Sequence, residues 1–447
     1  MGSSKGSAKE IWLPIFTKRS WFILLLIIGS FLSLAVLDSS SQDFIFRTLN
    51  YYTNQNTEDA SPIQPICDFS DIRSDICNMT GDIRTQGKDI ATVFFVPPPD
   101  KLFLEEQQWN FSPYPHKDLC PTKNVTVKHL RGPQNAPACT IQSSTIPAFL
   151  FPLAGLTGNP WHDFTDILIP LFLASKPLNG EVQFVIIDYR QWFLDKYNLI
   201  FKDITRYEVI NLDEDNEVRC YSHLMVGLPN HKDFGIDPDR AFDRFDMFKF
   251  RMYIRSIFSL PADVDIPHKM DPRPDKKPKL MLFHRSGIRH FLNEPEVVEV
   301  VEKNGYELVL IEPQRDDNLT EFAKLVDSCD VLMGVHGAAL TNILFLRTNA
   351  LMLQIIPYGH IEYYADLFYG RQAIEMKLRK IDYSISAEES SLLEKYGWDH
   401  PVIKDPDGVN ARGWRDRKRY YWYEQDVRLN VTRFEPVLVK ALELLKE

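Results

Sequence analysis

The sequence predicts an α/β protein built from two Rossmann-like domains, and three observations predict it. From Leu280 to Ile356, strand-like apolar runs alternate with amphipathic helical ones at the spacing of a doubly wound sheet. Glu181 to Asp188 is a nearly continuous apolar strand of the kind buried in a parallel sheet, which puts a second α/β unit upstream. Between them, prolines at 261, 267, 272, 274 and 278 stand among charges with little apolar content, the composition of a linker. A length of 447 residues suits two such domains plus tails.

In chain order, residues 1–20 read as a cytosolic tail. Trp21 to Leu37 holds no charge and, at ~1.5 Å per residue, spans about 26 Å as a helix, enough for the thinner bilayers early in the secretory route. Lys5, Lys9, Lys18 and Arg19 precede it while Asp38 and Asp43 follow, so the positive-inside rule sends everything after Leu37 into the lumen. The run is longer than the apolar core of most cleaved signal peptides, which favours a permanent anchor. Residues 38–66 are polar and without periodicity, a flexible stem. Residues 67–265 would form the first α/β domain and 266–447 the second.

Six cysteines, Cys67, Cys77, Cys120, Cys139, Cys220 and Cys329, include no close Cys-x-x-Cys pair, so disulfides in an oxidising lumen are expected rather than zinc. Cys67 to Cys77 and Cys120 to Cys139 are the shortest loops to close. Five Asn-x-Ser/Thr tripeptides agree with that compartment: Asn78, Asn124, Asn318 and Asn430 are candidate glycosylation sites, and Asn110 is disfavoured by Pro113 after its Ser112. Asn318 also fits a helix cap, with Glu321 completing the box. A net charge of −10 argues against a nucleic-acid partner.

In the first domain Ala91 to Val96, Val125 to Leu130 and Arg219 to Leu228 read as further strands. Asn159 and Pro160 mark a helix start, on which His162 and Asp166, four apart, share a face. Asp163 points about 100° away. The pair either aims an imidazole and a carboxylate at one hydroxyl or simply pins the helix start. Asp213 and Asp215 have the spacing of a metal-binding acidic pair but sit in a polar run and read as a solvated turn. Asp237 and Asp239 share that spacing.

In the second domain, Val331 to Val335 leads through Gly334, His336, Gly337 and Ala338 into a helix expected over Ala338 to Leu346. A strand, a glycine turn and a helix start bring backbone N–H groups and the positive end of a helix dipole to one spot that attracts phosphate. Both glycines would let the chain approach a ligand, and His336 would donate to a phosphate oxygen. An ordinary βα turn is the alternative. Arg285 and Arg289, after the strand ending at Phe283, would pair with phosphate oxygens. Glu362, or His360, follows the strand ending at Ile356 and would hold ribose hydroxyls. The basic run Arg412 to Arg419 with the aromatic run Tyr420 to Tyr423 suits either an acceptor groove or a charged loop and buried strand. Phe434 to Leu445 reads as a closing helix.

The Gly334 to Leu346 run, the His-x-x-x-Asp spacing of His162 and Asp166, and Arg285-x-x-x-Arg289-x-x-x-Asn293-Glu294 together resemble glycosyltransferase family 61. That group includes plant xylan side-chain transferases, the N-glycan core xylosyltransferase and secretory-pathway protein O-GlcNAc transferases. The likeness runs from about Cys67 to the end, and Cys67 to Arg84 resembles its plant polysaccharide branch. It implies a GT-B fold and an inverting Golgi type II enzyme moving a pentose, xylose or arabinofuranose, from a UDP-sugar to a xylan-type acceptor. It further implies Asp166 or His162 as base, with Arg285, Arg289, Gly334, His336, Gly337, Ala338 and Glu362 around the nucleotide. No metal or other cofactor is expected, because arginines and a helix dipole would relieve the charge of the leaving UDP. A glycoprotein-directed transferase and a non-catalytic glycan-binding Golgi partner are the alternatives.

Overall fold

Two β-sheets, each with its own apolar core, organise the chain. A computed structural model describes residues 65–88, 90–98, 105–120, 122–143, 145–262 and 277–446, which all fall in one compact unit. The expected tail, anchor, nearly all of the stem and most of the linker lie outside the described residues. No helix among the described residues is long and apolar enough to cross a membrane.

The first sheet comprises β1 (Ile66–Asp68), β2 (Ile76–Gln86), β3 (Ala91–Val96), β4 (Gln107–Phe111), β5 (Val125–His129), β6 (Ile141–Ser143), β7 (Ala148–Pro152), β8 (Gln183–Ile187), β9 (Ile210–Asn211) and β10 (Val218–Val226). Its order is β4-β5-β3-β2-β10-β7-β8-β9, with β1 alongside β2 and β6 alongside β10. The parallel sheet expected here is a mixed one: β2 runs antiparallel to both β3 and β10, and β4 to β5, while β10, β7, β8 and β9 are parallel. Short connections such as the one from Gln86 to Ala91 cannot carry a parallel crossover, so they fold back as hairpins.

The second sheet is wholly parallel: β11 (Lys279–Phe283), β12 (Glu307–Ile311), β13 (Val331–Val335), β14 (Leu351–Ile356) and β15 (Arg379–Ser384), in the order β12-β11-β13-β14-β15. The chain reverses its direction of winding between β11 and β13, which opens a crevice at the carboxyl ends of those two strands. β13 and β14 are buried along their whole length, as strands covered on both faces must be. Helix Glu294–Lys303 follows β11, and Leu319–Asp327 is capped by Asn318 Oδ1, which accepts from the amides of Thr320 and Glu321. The closing helix, Val431–Lys446, buries Phe434, Leu438, Ala441 and Leu445 against this sheet.

Helix Met247–Ile257 joins the two halves. Phe250 packs on Phe164 and Phe172 of the first half, while the buried guanidiniums of Arg251 and Arg255 donate to the carbonyls of Leu346 and Phe345 in the second. Those carbonyls end the segment after β13, which forms a 3-10 helix, Ala338–Phe345, in place of the expected α-helix.

The disulfides are Cys67–Cys77, as expected, and Cys139–Cys220, in place of Cys120–Cys139. β6 pairs in register with β10 and carries Cys139 to within 6.0 Å of Cys220 between Cα atoms. Loop-closure entropy grows only slowly with length, so sheet register decides the pairing rather than proximity in sequence.

Candidate active site

The crevice between β11 and β13 collects Arg285, Arg289, His336 and Gly337 of the residues that the sequence singled out. Arg285 and Arg289 leave β11 in a loop where Arg289 takes a left-handed conformation, φ 58°, a strained choice for a residue with a Cβ. Arg289 Nη1 donates to the His336 carbonyl at 2.6 Å, and Arg285 Nε donates to the Ile288 carbonyl at 3.0 Å. Both guanidiniums press on Gly337: a Cβ there would stand 2.7 Å from Arg285 Nη1 and 3.2 Å from Arg289 Nη1. Neither guanidinium forms an ion pair among the described residues, and Arg289 Nε is buried without a partner. Burial, then the neighbouring Arg285 charge, brings Arg289 down to about 9, and burial lowers Arg285 too. The Glu312 carboxylate acts on Arg285 only at a distance, and two buried cations side by side without an ion pair are what an anion would relieve.

Gly334 has a packing role instead: its missing Cβ would lie 3.2 Å from Phe283 Cδ2, so it lets β13 close on β11 and does not face a ligand. Ala338 opens the 3-10 helix with Gly337 as its cap. Asn293 and Glu294 are structural as well. Asn293 Nδ2 donates to the Leu429 carbonyl and its Oδ1 accepts from the Leu429 amide, while Glu294 lies 2.7 Å from His284 Nδ1.

His336 is buried, and its Nδ1 lies 2.8 Å from Gln354 Oε1. Gln354 Nε2 donates to Ala365 O and Asp382 Oδ1, which fixes the amide and makes His336 Nδ1 the donor. Burial outweighs the Gln354 bond and brings His336 down to about 3. The neutral ring therefore offers Nε2 as an acceptor, and the expected donation to phosphate is not available to it. Phe368, Tyr369 and Trp422 surround it at 5.5–6.2 Å between ring centroids.

Facing this crevice is a helix that begins at Pro160–His162, widens through a π-type turn at Asp163–Leu168 and continues as Ile169–Ser175. Asn159 caps it by accepting from the Trp161 amide. His162 Nδ1 lies 2.9 Å from Asp166 Oδ2, the pairing the spacing predicts. The remaining partners were not legible: Tyr114 donates to the same Oδ2 at 2.6 Å, and His116 Nδ1 lies 2.6 Å from Oδ1. Beyond His116, Asp233 is held by Arg73. Burial would raise Asp166, but the bonds from His116 and His162 hold it below the usual carboxylate range. Asp166 is wholly buried with both oxygens engaged, whereas His162 is partly exposed and its Nε2 has no hydrogen-bond partner among the described residues.

His116, His162 and Asp166 also offer atoms within 4.8 Å of one another, close enough for a metal ion. The Asp166 oxygens carry three hydrogen bonds, two of them shared with those histidines. Asp163 turns away, accepting from the Gly158 amide and Tyr197 Oη, and burial pushes it up to about 6 against those bonds.

Trp161 links the two groups, with its ring 4.8 Å from that of His162 and 5.2 Å from Phe368, which in turn stacks on His336. The aromatic run Tyr420 to Tyr423 belongs to this wall. It is a π-type helical turn, Lys418–Tyr423, and not the buried strand considered from sequence; Trp422 packs on His336, Phe368 and Trp414.

Other candidates stand apart. Glu362 is exposed on the first turn of Glu362–Ala365, with no ion pair or hydrogen bond among the described residues, and His360 pairs with exposed Asp407. Asp213 and Asp215 are tied to Lys123 and Arg219, a structured turn rather than a metal pair. Asp237 caps a short 3-10 turn, and Asp239 faces Arg244 at the surface. Asn110, Asn124, Asn318 and Asn430 are exposed, whereas Asn78 is half-buried in β2 between β1 and β10.

A doubly wound parallel sheet with a guanidinium-lined glycine turn at its switch point, opposed by a histidine–carboxylate pair, defines an α/β protein with its crevice where open parallel sheets receive ligands. Residues 161–353, which span both parts of this crevice, match the family described as glycosyltransferase 61. The chain is similar to the alpha-1,3-arabinosyltransferase XAT2 of rice (Oryza sativa subsp. japonica), 37% identical over 86% of this chain and 65% of that protein. It is likewise similar to the rice beta-1,2-xylosyltransferase XYXT1, 37% identical over 85% of this chain and 84% of that one. The xylan glycosyltransferase MUCI21 of Arabidopsis thaliana is 32% identical over 87% and 80%. The chain belongs to the glycosyltransferase 61 family. It spans about two thirds of the length of XAT2.

Proposed function

We propose that the protein is a two-lobed glycosyltransferase of GT-B type that transfers a pentose from a UDP-sugar to a xylan-type polysaccharide with inversion, anchored in the Golgi membrane with residues 38–447 in the lumen. The observation that carries the reading is the pair of buried guanidiniums, Arg285 and Arg289, held against Gly337 at the switch point with no ion pair among the described residues. The name of the xylan glycosyltransferase MUCI21 supports the acceptor class, and those of the rice arabinosyl- and xylosyltransferases support the pentose.

In this mechanism His162 takes the proton of the acceptor hydroxyl on Nε2. Asp166 accepts from its Nδ1 and stabilises the imidazolium that forms. The burial of Asp166 is why the histidine, and not the carboxylate, is the base. The acceptor oxygen bonds to the anomeric carbon from the face opposite the nucleotide while the bond to the diphosphate breaks. The electron pair leaves with UDP, whose added charge falls to the two arginines and the first amides of the Ala338 helix. His336 Nε2 accepts from a hydroxyl of the donor. The guanidiniums do the charge relief that a divalent ion performs elsewhere, so the reaction runs without metal.

Incubating the full-length detergent-purified chain with a panel of UDP-sugars and xylo-oligosaccharides tests this. A product one pentose heavier, with inverted anomeric linkage and undiminished by chelator, is the expected result. Transfer that stops with chelator and returns with manganese would remove the metal-free step, and transfer only to a glycopeptide would remove the acceptor.

A further inference from the structure

A cavity of about 560 Å³ opens beside the proposed site, between the two halves, and its lining does not include Arg285, Arg289 or His336. Its size falls within the roughly 300–1,000 Å³ of pockets that enclose a small organic ligand. One wall is a flat plate: the Arg315 guanidinium lies over the Trp192 indole, 4.7 Å from its centroid. Leu199 and Phe258 make the apolar floor, and Asp195, Asp316 and Thr320 stand on the rim.

The plate rests against the helix that carries His162. A Cβ on Gly158 would stand 3.1 Å from Arg315 Nη2 and 3.6 Å from the Trp192 ring, and the next residue, Asn159, caps that helix. About one helical turn, on the order of 5 Å, separates cap from imidazole. A chain whose reacting hydroxyl reaches His162 would run its neighbouring units into this cavity.

The lining chemistry selects the ligand. Two cations, Lys196 and Arg315, share it with three carboxylates, Asp195, Asp316 and Asp317, so it has no net attraction for an anion. Asp316 forms no ion pair among the described residues, and Asp195 only accepts from Gln191. Carboxylates outside ion pairs, beside an aromatic plate, accept from vicinal hydroxyls while the plate covers the apolar face of a sugar ring.

We infer that the Trp192–Arg315 cavity is a subsite for a neutral sugar unit of the acceptor chain, remote from the bond being made. This rests on the acceptor reading above and adds where the chain lies. The test compares wild type with Trp192→Ala and Trp192→Phe, using xylotriose, xylohexaose and UDP as probes. By calorimetry, wild type should bind xylohexaose more tightly than xylotriose; Trp192→Ala should bind xylohexaose about tenfold more weakly, the loss of one well-packed aromatic contact. Trp192→Phe should recover part of the loss, and UDP affinity should be the same in all three.

Equal xylohexaose affinity in wild type and Trp192→Ala overturns the subsite, as does a wild type that does not distinguish the two oligosaccharides. A parallel loss of UDP affinity in Trp192→Ala also overturns it, since that cavity would then serve the donor. Should wild type bind both probes and transfer nothing, the activity reading falls while the calorimetry still decides the subsite.

Discussion

Replacing Gly337 with alanine adds one methyl group where the proposed diphosphate site has no room for it. The new Cβ would stand 2.7 Å from Arg285 Nη1 and 3.2 Å from Arg289 Nη1, the first closer than carbon and nitrogen tolerate. The guanidiniums, as ends of long side chains, give way before the backbone does. Arg289 has less freedom, since its Nη1 is tied to the His336 carbonyl at 2.6 Å, so Arg285 should swing out. Losing one charge-assisted hydrogen bond to the diphosphate costs about 1.5–3 kcal/mol, or roughly 10- to 150-fold in UDP affinity. Titration calorimetry with UDP, alongside circular dichroism of the same samples, reads that loss directly. Gly334→Ala is the control: its Cβ would meet Phe283 at 3.2 Å, so it should lower the melting temperature and leave UDP binding alone. A folded Gly337→Ala protein that holds UDP as tightly as wild type would refute the assignment of the two arginines.

Asp166→Asn should cut kcat by about 10²–10⁴-fold, the usual contribution of a positioned general base, with UDP affinity unchanged; a kcat close to wild type would remove the His162–Asp166 pair from the chemistry. Asp163 gives a pH signature of the opposite kind to a salt-bridged acid. Its carboxyl is raised to about 6, so the native state holds a proton that the unfolded chain has already released, and stability falls as pH rises from about 4 through 6. Against Asp163→Asn, wild type should lose on the order of 2–3 kcal/mol between those limits, measured by urea unfolding at each pH; a constant difference would contradict the buried carboxyl. Cys139→Ser should destabilise by about 2–5 kcal/mol while Cys120→Ser should cost much less, and non-reducing peptide mapping should recover a Cys139–Cys220 fragment.

What could be read from the sequence was local in kind. Four strands of the second sheet, β11 to β14, were legible because buried parallel strands are apolar runs and amphipathic helices alternate with them; β15, an edge strand with polar residues in alternation, was not. His162 and Asp166 were legible because four residues on a helix make one face. Their partners were not: Tyr114 and His116 come from a loop some fifty residues earlier, and no periodicity announces a loop residue's destination. The mixed character of the first sheet and the Cys139–Cys220 bond depend on which strand lies beside β10, a tertiary choice. His336 was placed correctly on the turn beside the arginines, but its inability to donate follows from Gln354, eighteen residues on and in the neighbouring strand. The 3-10 form of Ala338–Phe345 likewise reflects what holds its far end, two arginines from helix Met247–Ile257.

That helix bears on any attempt to graft acceptor specificity between relatives. The proline-rich stretch after Leu260 invites a crossover there, but a chimera cut at that place would carry Arg251 and Arg255 in from the donor of the front half and ask them to clasp a foreign Phe345–Leu346 turn. Moving the splice upstream of Met247 keeps clasp and turn from one parent and leaves the Phe164 and Phe172 rings as the new seam, where shape need only be roughly matched.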